Sequence, residues 1–129
     1  MNDIRKIKIE LPGLTPINTA DGFDRWVRKK SKDRWMKEVA AMVHGHKPKE
    51  PFQYAQIIIC RYSKTRPDYD NLVQGGKFLL DGLVSSKIIL DDDWECVGRP
   101  LYDWIFADEG EQRMLINIER VEDSPGFWC

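Results

Sequence analysis

Alternating apolar and polar positions open the chain. Between Ile4 and Leu11, the apolar Ile7, Ile9 and Leu11 interleave with Lys6, Lys8 and Glu10, the period of two expected of a half-buried strand. Pro12, Gly13, Pro16 and Asn18 predict a loop. From Phe23 to His44 the spacing lengthens. Phe23, Val27, Trp35, Val39, Met42 and Val43 gather near one side of a helix, and lysines and arginines take the rest. Lys47-Pro48-Lys49-Glu50-Pro51 breaks the chain, and Phe52 to Tyr62, rich in β-branched and aromatic residues, predicts a second strand. A polar loop from Ser63 to Pro67 leads into a second helix that starts near Asp68 to Asp70 and ends near Ser85. A short strand from Lys87 to Leu90, the acidic turn Asp91-Asp92-Asp93, and a strand from Glu95 to Ala107 follow. That strand is expected to bend at Gly98-Arg99-Pro100. A turn at Asp108-Glu109-Gly110, a last alternating strand from Arg113 to Val121 and a short tail over 124–129 complete the order. It predicts an α+β fold, a mixed sheet with two main helices packed against it, as a single domain over 1–129.

Composition narrows the class. A chain of 129 residues has room for one hydrophobic core, and 42% hydrophobic with 32% charged residues is the balance of an ordinary globular protein. The apolar runs Ile57 to Cys60 and Phe78 to Leu80 are too short to span a bilayer. The first ten residues lack the apolar core of a signal peptide, so the expectation is a cytoplasmic protein. Cys60, Cys96 and Cys129 are odd in number and far apart, which predicts free thiols and no zinc site. His44 and His46 have no cysteine or carboxylate cluster beside them.

The net charge of −1 conceals a division. From Arg25 to Arg66 twelve basic residues face three acidic ones, a net of +9, whereas from Pro67 onward fourteen acids face five bases. A basic nucleic-acid surface beside an acidic metal site gives this asymmetry; so do two solvated faces that neutralise each other.

The segment Arg66-Pro67-Asp68-Tyr69-Asp70-Asn71-Leu72, with Asp91-Asp92-Asp93 about twenty residues later, carries the chemistry. Like charges about 4 Å apart repel by roughly 4 kcal/mol at an effective dielectric near 20. Converging carboxylates are therefore relieved by protons or by a cation. Oxygen donors alone favour a hard ion, Mg²⁺ or, as a substitute, Mn²⁺. The competing reading makes Asp68 or Asp70 a helix cap and Asp91 to Asp93 a solvated turn. Helical geometry, at about 100° per residue, gathers Leu72, Gly76, Leu79, Leu80 and Leu83 in one stripe. Asp70, Gln74, Lys77 and Asp81 line the opposite side. Lys77 lies roughly 10.5 Å along the axis from Asp70, where it could hold a phosphate or pair with Asp81 at i,i+4.

Asp68-Tyr69-Asp70-Asn71-Leu72, a lysine, Leu80-Asp81-Gly82-Leu83 and Leu90-Asp91-Asp92 together resemble the RusA family of crossover-junction endodeoxyribonucleases. The likeness is specific over Arg66 to Val97 and looser elsewhere, where Pro16-Ile17-Asn18 matches a proline-asparagine loop. It implies a homodimer that resolves Holliday junctions, a form of branched DNA, by paired symmetric nicks in recombination and repair. The implied Mg²⁺ ligands are Asp68, Asp70 and either Asp92, which the pattern favours, or Asp93. The implied cleavage lysine is Lys77, although Gln74-Gly75-Gly76 reads as a three-residue insertion. Three residues turn a helix by about 300° and advance it about 4.5 Å, so Lys77 keeps its direction and loses proximity, with Gln74 as the weaker substitute. Arg25, Arg28, Lys29, Lys30, Lys32, Lys64 and Arg66 are the expected phosphate contacts, and Trp26 and Trp35 are candidates to touch bases. No organic cofactor and no membrane are expected. Two alternatives stay open: a phage-encoded, non-catalytic module that holds branched DNA, and a structural protein whose acids are caps and turns.

Overall fold

The computed structural model describes residues 4–14 and 25–127. Pro16, Ile17, Asn18, Phe23, Cys129 and the side chains of Arg25, Trp26, Val27 and Arg28 lie outside the described residues.

Strand β1 (Lys6–Pro12) alternates as its sequence predicts, with Ile7, Ile9 and Leu11 buried. It pairs antiparallel with β4 (Arg113–Arg120), which buries Met114, Ile116 and Ile118 on the same face. Strand β4 pairs antiparallel with β2 (Ala55–Ser63), and β2 pairs in parallel with β3 (Leu101–Phe106). The result is one mixed four-stranded sheet in the order β1-β4-β2-β3. Pro12 is tolerated because β1 is an edge strand, whose outer side needs no N–H donors.

Two helices cover one face of this sheet. Helix α1 (Arg25–Val43) buries Trp35, Val39 and Val43. Met42, expected inward, is 45% exposed, because one residue along a helix swings the side chain about 100° from Val43. Helix α2 (Tyr69–Ser85) buries the predicted stripe and also Gly75, Phe78 and Gly82. This wider burial has a cause: α2 rests on the sheet and on α1 at once. A methyl group at Gly82 would stand 3.0 Å from both Cβ and Cγ2 of Val39.

Three segments differ from expectation. Lys87 to Leu90 forms no strand. Helix α2 ends in a left-handed turn at Lys87 (φ 63°), Ile88 and Ile89 turn into the core, and only Ile89 bridges to Phe52. The expected strand start at Phe52 shrinks to that bridge, and β2 begins at Ala55. Glu95 to Ala107 is also not one strand. Asp93 caps a single helical turn, α3 (Trp94–Val97), and Gly98 ends it with φ 59° before β3 begins at Leu101. Within the expected short tail, residues 124–127 are held against the domain. Its 3-10 turn (Pro125–Phe127) packs on α3, with the Trp94 indole N–H donating to the Gly126 carbonyl at 2.6 Å. No described helix is long and apolar enough to cross a membrane.

Candidate functional site

Helix α2 and the turn at 91–93 meet at a lysine. Lys77 reaches from α2 and donates to the Asp92 carboxylate, fifteen residues away in sequence, and also lies 3.2 Å from Asp81 on its own helix. Lys32 of α1 approaches the same Asp81 at 3.7 Å. One ammonium thus sits between two carboxylates that would otherwise repel. Hydrogen bonding to Asp92 raises the Lys77 pKa, against a smaller opposing effect of burial. For Asp92, burial acts to raise the carboxyl, but the Lys77 ammonium outweighs it and holds the group below its ordinary value.

The three acids of the turn have separate roles. Asp91 accepts the Asp92 backbone N–H at 2.7 Å, which tightens the turn. Asp92 faces Lys77. Asp93 accepts the Cys96 N–H at 2.9 Å and caps α3, one of the donors a helix start leaves unpaired. At the other end of the motif, Asp68 occupies the cap position of α2 with extended backbone but makes no side-chain cap hydrogen bond. Its carboxylate and that of Asp70, in the first turn, are exposed.

Sequence reasoning missed Tyr102. It stands opposite Ile59 in the β2–β3 register and so faces α2. Its ring meets Tyr69, the residue between Asp68 and Asp70, edge-on at 6.2 Å between centroids. Burial first, then Tyr69 and Asp92, push its hydroxyl up to about 12 against the opposing pull of Lys77. Tyr102 therefore stays protonated at neutral pH and borders both the start of α2 and the Lys77–Asp92 pair. The signal available in sequence was the glycine pair in α2, since glycine inside a helix points to a close neighbour.

Carboxylate oxygens suit a hard divalent ion, but the set is not gathered. Among the described residues no three acidic, histidine or cysteine side chains come together closely enough to hold a metal. His44 and His46 are exposed, and Cys60 and Cys96 are buried free thiols.

Of the expected DNA contacts, Lys29, Lys30, Lys32, Lys64 and Arg66 are exposed. Lys64 lies 4.0 Å from Glu109, and Arg25 and Arg28 fall outside the described side chains. Arg61, one of the twelve bases in the +9 segment, is 5% exposed, and burial lowers its pKa. It adds nothing to a solvent-facing basic surface. Trp35, 1% exposed, is a core residue whose ring is not presented at the surface.

No family model matches the chain, and no curated protein matches its sequence.

Proposed function

We propose that this chain is a Mg²⁺-dependent endodeoxyribonuclease of RusA type that nicks branched DNA, working as a homodimer. One observation carries the reading: the lysine displaced to i+7 from Asp70 still meets Asp92 of the acidic turn. The displaced element of the motif thus lies beside the acid expected to work with it. A divalent ion bound by Asp68, Asp70 and Asp92 would supply a polarised phosphate oxygen and an activated water. Asp92, which faces Lys77 and is not gathered with Asp68 and Asp70 here, would have to turn from that lysine to serve as a ligand. The Lys77 ammonium would then serve to hold a phosphate oxygen and to balance charge that grows there in the transition state. Exposed Lys29, Lys30, Lys32 and Arg66 would track the flanking backbone. A two-fold dimer places one such site on each of a junction's symmetric strands.

A second reading is favoured by the open ligand set: a module that binds branched DNA and does not cut it. One experiment separates them. A synthetic four-way junction is incubated with protein and Mg²⁺, with and without chelator, using wild type and Asp70→Asn. Symmetric, chelator-sensitive nicks from the wild type, absent from the variant, support the nuclease. Binding unaffected by chelator, without product, supports the module.

A further inference from the structure

The glycine pair inside α2 leaves a slot for a ring. Gly75 and Gly76 are buried in mid-helix, where glycine is a poor helix former. A methyl group at Gly76 would lie 2.5 Å from Cε1 and 3.3 Å from Cδ1 of Tyr102, and 3.3 Å from Cδ1 of Ile59. Ile59 and Tyr102 are partners across β2 and β3, so both point from the sheet toward α2. Only a residue without a side chain lets the helix settle so close. Tyr69, seven residues earlier and on nearly the same side of the helix, closes on the same ring. Helix α2 therefore holds Tyr102 at two points, and the residue after the slot is Lys77. On the strand side, β3 follows α3 and the turn that carries Asp92.

We propose that Tyr102 is a positioning residue for the Lys77–Asp92 contact. Its ring, seated at Gly76, sets how deeply α2 rests on β3, and with that depth whether the ammonium reaches the carboxylate. A consequence for cleavage rests on the nuclease reading above; the positioning itself rests only on these contacts.

The test uses the full chain with Tyr102→Phe, Tyr102→Leu and Gly76→Ala, each first checked for a cooperative thermal transition. The first readout is the Lys77 ammonium signal in ¹H–¹⁵N spectra, assigned by its loss in Lys77→Gln. The second is kcat and KM for nicking a four-way junction with Mg²⁺. Tyr102→Phe keeps the ring, and is expected to keep the signal and kcat within twofold. Tyr102→Leu and Gly76→Ala are expected to fold, lose the signal and lose at least tenfold in kcat with KM within twofold. A signal that persists in both folded variants, or is absent from the wild type, overturns the proposal. If the wild type does not nick while the signal follows the expected pattern, the nuclease reading fails and the positioning role stands.

Discussion

Replacing Lys77 by glutamine removes the ammonium between Asp81 and Asp92 and keeps a side chain of similar length. The Lys77 side chain is 58% exposed and that of Asp92 19%, so the pair works partly in solvent and is worth at most about 1 kcal/mol. If a divalent ion must displace Lys77 from Asp92, this is the part of the ion's binding energy that the contact withholds. At 1.4 kcal/mol per tenfold, Lys77→Gln should then tighten ion binding by up to about fivefold while abolishing nicking. Calorimetric titration of Mn²⁺ at fixed ionic strength measures the change, with Asp70→Asn as the control that should weaken binding. Unchanged or weaker affinity in Lys77→Gln would refute the idea that lysine and metal compete for one carboxylate.

Three further outcomes follow from the packing. Gly82→Ala gains about 1 kcal/mol of helix propensity but presses on stiff Val39, an overpacking cost of about 1–3 kcal/mol. Urea unfolding should show net loss, whereas Gly110→Ala, with nothing within 4 Å, should be close to neutral. Asp93→Ala removes the α3 cap, and chemical denaturation should register a loss of about 1 kcal/mol. Burial first, then Asp93, push the Cys96 thiol from 9.0 to about 11, and burial also raises Cys60. In a Cys129→Ser background both should resist thiol reagents at pH 8 in the native state. Because the folded form of Cys96 keeps its proton while the unfolded form loses it, this contribution to stability falls as pH rises from 9 to 11; Cys96→Ala should flatten that stretch of the stability–pH curve.

Period was the legible part of the chain. Alternation in β1 and β4 and the apolar stripe of α2 depend on a single buried face, and sequence spacing records that directly. What spacing cannot record is a neighbour from elsewhere. Gly82 and Phe78 are buried because α1 and the core lie there, and Tyr102 matters because Gly76 leaves it room. Around Cys96 and Val97 the residue types suggested a strand. An aspartate cap three residues before Cys96 and a left-handed Gly98 give one helical turn instead, so local capping overrode composition. The motif acids were legible as a pattern. Which of Asp91, Asp92 and Asp93 faces Lys77 depended on backbone hydrogen bonds that occupy the other two.

The parallel pairing of β2 with β3 has a consequence for how the molecule is assembled. Parallel neighbours need a crossover, and here it contains α2, the acidic turn and α3. Lys77, Asp92 and Tyr102 thus belong to one unbroken stretch, 55–106, that can organise itself early. Strand β1 instead closes against β4, Lys6 opposite Glu119, across almost the whole chain, the kind of distant contact that forms slowly. Pulse-labelling during refolding should find amides of β2 shielded before those of β1; the reverse order would show that the outermost strand is instead an early template.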